Sequence, residues 1–394
     1  MRNFYFGLDL GHAEWKFSAL EELADGNFVF FNQAIKNEFI RKGEIIDQAN
    51  FEEQLKLVLE NLSESLGSYP IRDITLAISF PQTQTYFQKG YVIFENNIKE
   101  EDIEKALRVT RASINLANQE ILLEKPYRYI LDTEEELRDP IGMAGRRLDV
   151  EAILLTVHRS QIEKIRQVFK NIGISINSIL PSAYAKSLIS ISKRDKDIGV
   201  GFLDLGAETT SFLVFSEGNL VQFKIFPWGN QNLTEELAIR YKIDLVDAEE
   251  LKKFVFSQAR DEKGKKPTTI KLEKNTFSRN LVSKFLEKIL KKYIDENGLA
   301  DFLKETRKKF KMPGGLILSG GLAQVNELSD LFKKTLEAPI KLPKNELNYI
   351  KVNHDDEDFI KFSASLACAY NSAQQVDRSN IFSKIKKIFR SFSG

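Results

Sequence analysis

Three short turns in this chain each follow an apolar run and offer groups that suit a phosphate or a nucleoside. The first is Asp9-Leu10-Gly11-His12-Ala13-Glu14-Trp15-Lys16, with an acid, a glycine and a cation. The second is Asp204-Leu205-Gly206-Ala207-Glu208-Thr209-Thr210, with an acid, a glycine and two hydroxyls. The third is Leu318-Ser319-Gly320-Gly321-Leu322-Ala323, whose small residues let a ligand pass along the backbone. Carboxylates order a hydrated Mg²⁺, tight turns present backbone N–H groups to phosphates, and glycine allows close approach. A single Asp-x-Gly is most often an ordinary β-turn. The three in this order are far more specific.

The elements that must carry these turns follow from periodicity. Phe4 to Leu10 and Ile198 to Leu205 read as buried strands, each followed by a second strand, Lys16–Leu20 and Thr210–Phe215. The repeated strand-turn-strand unit predicts two related half-molecules facing each other. A helix at about 50–65 presents Phe51, Leu55, Val58, Leu59 and Leu62 on one face, and Asp73–Phe80 reads as a further strand. From 81 to 165 the texture shifts to short strands (Thr85–Phe87, Gly90–Phe94, Tyr127–Leu131, Val150–Val157) around a helix from Lys99 to Ala112, an inserted α+β unit. A helix Ser160–Ile172 and a strand Ile174–Ile179 return to the first half. The Lys-rich stretch 257–275 reads as a solvated loop, helices are expected at 276–294 and 299–310, and a small-residue helix at 358–370 precedes a polar linker.

The last segment is a separate signal. Ile381, Phe382, Ile385, Ile388, Phe389 and Phe392 share one helical face, while Lys384, Lys386, Lys387 and Arg390 take the other. Such a helix is too short to span a bilayer and suits the interface of anionic lipid, where each basic residue contributes about 1 kcal/mol. It carries four cations and no acid, leaving the remainder of the chain at −3. The blander alternative is a terminal helix packed on the protein's own core; a third is a partner groove.

Composition bounds the rest. The 394 residues suit roughly two to three domains. With 42% hydrophobic and 29% charged residues the chain reads as globular. Lys plus Arg is 57 against 56 acids, a net charge of +1 that argues against a nucleic-acid binder. One cysteine, Cys368, excludes an internal disulfide and fits a reducing cytoplasm, and three scattered histidines argue against a zinc centre. The N-terminus is a poor signal peptide, and no run approaches a membrane span.

The three turns together resemble the actin-like ATPase superfamily. Asp139-Pro140-Ile141-Gly142-Met143-Ala144-Gly145-Arg146-Arg147-Leu148-Asp149-Val150 narrows this, because it is similar to the Pro-x-Gly-Met-x-Gly-x-Arg segment of the FtsA family of bacterial cell-division proteins. Ile225 to Asn230 and Ala248-Glu249-Glu250-Leu251-Lys252 are supporting matches, and the family ends in the same kind of helix. The resemblance covers essentially the whole chain. It implies an α/β, actin-like two-lobed ATPase fold with an inserted subdomain (1C) and a C-terminal amphipathic helix. The implied division is 1–81 with 165–197 (1A), 82–164 (1C), 198–241 with 312–370 (2A), 242–311 (2B), a linker at 371–380 and the membrane-targeting helix at 381–392.

The resemblance also implies ATP and Mg²⁺ as ligands. Asp9 and Asp204 would organise the metal shell through water. Gly11, Gly206 and Thr209 would meet phosphates, with Lys16 as counter-charge. Glu249 and Lys252 would meet the ribose, and Gly320 and Gly321 the adenosine; without the resemblance, Glu249 and Lys252 read equally as a solvated i, i+3 pair. Catalytic residues are unassigned, because no water-activating base stands out, and hydrolysis is expected to be weak. The implied partners are the C-terminal peptide of FtsZ on 2B, near Lys284, Lys291 and Lys292, anionic lipid at the cytoplasmic face of the inner membrane, and further copies of the chain in filaments. Three departures stand out: Ala207 and Glu208 replace glycines, His12 and Trp15 enlarge the first turn, and Ala367 stands where the family usually has glycine. A kinase on the same fold lacks an evident base and would not need the tail. A pilus-assembly relative shares the body, but the Gly-Met-x-Gly segment and the tail argue against it. A chaperone of the Hsp70 type is disfavoured because no peptide-binding domain follows residue 372.

Overall fold

The computed structural model describes residues 3–375 except 24–26, 42, 133–134, 257–265, 273–274, 322–329, 331, 335, 347–349 and 352–358. The amphipathic segment expected at 381–392 lies outside the described residues, as does the linker from 376 onward.

Two sheets share one plan. In the first, Asn3–Leu10 runs antiparallel to Glu14–Glu22, which runs antiparallel to Phe28–Lys36; on its other side Asn3–Leu10 is parallel to Asp73–Ile78, and that to Ser175–Pro181. In the second, Val200–Leu205 runs antiparallel to Thr210–Ser216, which runs antiparallel to Asn219–Phe226; on its other side Val200–Leu205 is parallel to Leu316–Gly320. The repeated unit is therefore three antiparallel strands beside a parallel neighbour, one strand more than the expected hairpin. Phe28–Lys36 and Asn219–Phe226 were not anticipated, because their half-buried faces blur the alternation. Asp9 and Asp204 occupy the same place in each sheet, next to last on the central strand.

Packing follows the apolar pattern. Helix Gln48–Ser65 is capped by the Asp47 carboxylate, which accepts from Asn50 N–H at 3.2 Å, and it buries the five expected residues. Trp15 and Phe17 are fully buried under this sheet, and burial of the Phe17 ring contributes about 1.5–3 kcal/mol. On the sheet's other face lies a helix over 359–375. A side chain at Gly7 would stand 1.9 Å from the Ser365 carbonyl oxygen, so the strand's glycine permits the close approach. Ser18 Oγ and Ser365 Oγ meet at 2.7 Å, Thr75 Oγ1 and Ser372 Oγ at 2.6 Å. Ala367 is fully buried in that contact.

Two expectations are corrected here. Residues 350–351 pair with Phe28–Val29, and the 359–375 helix packs on Leu20, Phe30 and Ala77. The end of the 312–370 segment therefore returns to the first lobe and does not stay in 2A. The helix also continues to 375, into the segment read as a linker, because Ser372 and Ala373 are still buried against the sheet.

The inserted unit is a four-stranded antiparallel sheet ordered Gln84–Ile93, Arg147–His158, Gln119–Leu131, Glu135–Leu137, with helix Glu100–Ala112 on one side. The strands expected at 85–87 and 90–94 are a single strand. Gly90 is no turn; it is where the helix touches the sheet, since a Cβ there would lie 2.1 Å from Ala106 O. The unit leans on the second lobe: Thr85 Oγ1 donates to Phe223 O at 3.0 Å, and Leu123, Ile153 and Leu155 share a core with Phe202, Leu213 and Phe215. Beyond the second sheet, helices Asn230–Tyr241, Leu245–Phe256, Arg279–Glu296 and Leu299–Lys309 form a helical layer. Part of the expected Lys-rich loop is a hairpin, Thr269–Leu272 with Asn275–Ser278, held by buried Leu272 and Phe277. Among the described residues no helix is long and apolar enough to cross a membrane.

Candidate functional site in the cleft between the lobes

The two central strands end at a common cleft of about 1190 Å³. All ten residues named from the sequence line it: Asp9, Gly11, Lys16, Asp204, Gly206, Thr209, Glu249, Lys252, Gly320 and Gly321.

The acids come first. Asp9 and Asp204 are 5% and 4% exposed, so each needs a partner. Helix Ser182–Ser190, which follows the last strand of the first sheet, supplies both. Ser182 Oγ donates to Asp9 Oδ1 at 2.9 Å, and Lys186 Nζ donates to both carboxylate oxygens of Asp204 at 2.9 Å. The second contact crosses from one lobe to the other. Burial works against the Lys186 charge, but Asp204 and Asp9 outweigh it and hold its pKa above the ordinary lysine value. Neither Ser182 nor Lys186 was anticipated. The available signal was a lone lysine, four residues after a serine, in the small-residue run Ser182-Ala183-Tyr184-Ala185-Lys186-Ser187.

The first turn is held from behind by Asn37. Its Nδ2 donates to His12 O at 2.6 Å and Ile40 O at 2.8 Å, and its Oδ1 accepts from Phe39 and Ile40 N–H. All four of its amide hydrogen-bonding positions are used, which fixes the turn. His12 Nδ1 lies 3.1 Å from Ile40 O and 3.1 Å from Glu208 Oε2, so Nδ1 carries the proton and shares it between two acceptors. Two departures from the resembling family, one on each turn, thus meet across the cleft.

The second turn is tighter than a free phosphate loop. Gly206 N–H donates to Thr209 O at 2.9 Å, so it is engaged within the turn and is not offered to a phosphate as expected. The carbonyls of Gly206 and Ala207 accept from Asn230 and Gln231 N–H at 2.9 and 2.7 Å, capping the following helix. Gly229 must be glycine for this, because a Cβ would sit 2.6 Å from both carbonyl oxygens.

Lys252 is 3% exposed and donates to Asn230 O (3.1 Å) and Thr234 Oγ1 (2.7 Å) while pairing with Glu249 at 2.7 Å. Its three N–H groups are directed into the lobe, so it positions Glu249 and the helix start. Burial pushes the Lys252 pKa down, against Glu249. Burial works against the Glu249 carboxylate as well, but Lys252, Thr234 and Lys253 outweigh it and leave its pKa below the ordinary value. The pair is therefore a half-buried network, not a solvated surface pair. Glu249 lines the cleft. At the third turn Gly320 has φ +104 and a Cβ there would be 2.1 Å from Leu205 O, so strand pairing requires this glycine. A Cβ at Gly321 would meet nothing within 4 Å among the described residues.

The arrangement suits an anionic ligand with a hydrated metal. Two buried carboxylates face the cleft from opposite lobes, and Asn230, which lines it too, has a buried Oδ1 with no hydrogen-bond partner among the described residues. The described residues hold no cluster of three His, Cys, Asp or Glu able to bind a metal by protein ligands alone. A Mg²⁺ between Asp9 and Asp204 would therefore keep mostly water and phosphate ligands, its usual preference.

Comparison with known proteins agrees with the fold and names the family. Residues 202–367 match the family described as cell division protein FtsA, and residues 82–156 match the SHS2 domain inserted in FtsA; together they take in more than half of the chain. Cell division protein FtsA of Bacillus subtilis is 24% identical over 363 residues, 88% of this chain and 80% of that one. FtsA of Borreliella burgdorferi is 26% identical over 369 residues, 89% and 84%. Among solved structures, a PilM–PilN type IV pilus biogenesis complex superposes with a TM-score of 0.64 at 15% identity, covering 93% of this chain and 98% of that chain. MreB 5 of Spiroplasma citri bound to AMPPNP gives 0.50 at 13% identity, covering 98% of each. At such identities these structures speak for the fold alone. The chain is a member of the FtsA family of cell-division proteins, built on the actin-like two-lobed α/β fold with an inserted subdomain.

Proposed function

We propose that this protein binds ATP with Mg²⁺ in the cleft between its lobes, assembles with further copies into filaments, and ties FtsZ to the cytoplasmic face of the plasma membrane. The observation that carries this reading is the convergence of Asp9 and Asp204, equivalent positions of two repeated sheets, on one cleft lined by every turn the sequence singled out. That a neighbour of the same fold, MreB 5 of Spiroplasma citri, is bound to AMPPNP supports nucleotide binding.

Asp9 and Asp204 hold the metal through water, and the metal supplies charge neutralisation for the phosphates. The turns after Asp9 and Asp204 line the phosphates, Lys16 adds positive charge, Glu249 takes the ribose hydroxyls, and the backbone at Gly320 and Gly321 runs beside the adenosine. Residues 82–164 act as the 1C subdomain and 242–311 as 2B, the surface for the FtsZ C-terminal peptide. The segment 381–392 lies in the interface of anionic lipid, its apolar face in the acyl boundary and its four cations at the headgroups. Family membership favours this adaptor over a pilus-assembly role.

Co-sedimentation of the full-length protein with anionic liposomes, with and without ATP and FtsZ, tests the reading. The protein should carry FtsZ into the pellet, and deletion of 379–394 should leave both in the supernatant. Pelleting that is unchanged by the deletion would refute the tether.

A further inference from the structure

Helix Ser182–Ser190 passes behind both acid turns, and its residues Ser182 and Lys186 are four apart, on one face. Through Ser182 it holds the acid of its own lobe, and through Lys186 the acid of the other. The Lys186 side chain is 13% exposed and lines the cleft. Burying an ammonium costs free energy, and the hydrophobic core gains nothing from it. Two carboxylates and one ammonium leave this spot net negative, which repels a polyphosphate. A divalent cation shared by Asp9 and Asp204 reverses that sign. Lysine carries three donors on a flexible four-carbon stem, so its head can turn from a carboxylate to a phosphate while its helix stays in place.

We propose that Lys186 is a phosphate-binding residue of this cleft: it rests on Asp204 when no nucleotide is present and passes to the nucleotide's phosphates when Mg²⁺ shares that carboxylate. The assignment rests on the nucleotide reading above and places the main phosphate-contacting cation on the 182–190 helix, not on the first turn.

An acyl-phosphate derivative of ATP, which acylates a lysine lying against its terminal phosphate, tests this on the wild-type full-length protein. Mass spectrometry should find Lys186 acylated, and excess ATP with Mg²⁺ should suppress the labelling. Calorimetry should find Lys186→Met about tenfold or more weaker for ATP with Mg²⁺, the loss of one charge-assisted phosphate contact. Mg²⁺ alone should raise the melting temperature of Lys186→Met, whose Asp204 then lacks its cation, and leave the wild type nearly unmoved. If the wild type binds ATP while acylation falls on Lys16 or Lys36 and not on Lys186, or if Lys186→Met binds as the wild type does, this proposal is overturned and the nucleotide reading stands. A wild type that binds no ATP overturns both. Should Lys186→Met fail to fold, the labelling pattern decides alone.

Discussion

His12 Nδ1 and Glu208 Oε2 meet at 3.1 Å across the cleft, joining the first turn of one lobe to the second turn of the other. Both side chains are mostly buried, 23% and 16% exposed. Together with the Lys186–Asp204 ion pair, this hydrogen bond clasps the lobes where a nucleotide's phosphates would enter. The Glu208 carboxylate has a local partner and still adds negative charge at that mouth.

Removing that charge should therefore strengthen nucleotide binding. A unit charge near a protein surface is worth about 1 kcal/mol or more at these distances, roughly a fivefold change in affinity. Titration calorimetry of Glu208→Gln with ATP and Mg²⁺ should show tighter binding than the wild type. Weaker binding would mean that the clasp to His12 shapes the site and does not oppose the ligand.

Gly320 and Gly321 should respond differently to alanine. At Gly320, φ +104 and a Cβ 2.1 Å from Leu205 O force the strand pairing apart, so Gly320→Ala should lose several degrees of melting temperature or fail to fold. At Gly321 a Cβ meets nothing within 4 Å among the described residues, so Gly321→Ala should fold as the wild type does. A lower ATP affinity in a fully stable Gly321→Ala protein would place the adenosine beside it.

Lys196 gives the fold a defined pH dependence. Its ammonium lies 3.4 Å from Leu188 O and 5.4 Å from the Phe215 ring centroid; burial pushes its pKa down to about 8, against the opposing pull of Glu346. The native state gives up this proton near pH 8, whereas the unfolded chain keeps it until the ordinary value of 10.5. The unfolded state thus binds more protons in that window, and stability rises with pH across it. Thermal unfolding of the wild type should shift upward from pH 7 to pH 9.5 by on the order of 1 kcal/mol relative to Lys196→Met. Parallel profiles for the two proteins would remove Lys196 as the cause.

What the sequence revealed and what it concealed divide along physical lines. Asp9 and Asp204 were legible because each closes a run of buried apolar residues, a local pattern that repeats. The five buried positions of helix Gln48–Ser65 were legible for the same reason. Lys186 was not, because its partner lies in the other lobe and nothing local marks a lysine as buried. His12 and Glu208 each stood out as bulky or charged where small residues were expected, but their pairing depends on how the lobes meet. Lys252 was read as a ligand contact; its burial under Asn230 and Thr234 comes from the packing of two helices. The return of 350–351 and 359–375 to the first lobe was hidden because a parallel pairing across most of the chain leaves no local trace.

The central claim, a nucleotide held between Asp9 and Asp204, is tested most directly by calorimetric titration of ATP with Mg²⁺ into the full-length protein and into Asp204→Ala. Saturable one-site binding to the wild type and at least about tenfold weaker binding to the variant is the predicted outcome. No binding to the wild type, or equal affinity in the two proteins, would contradict it.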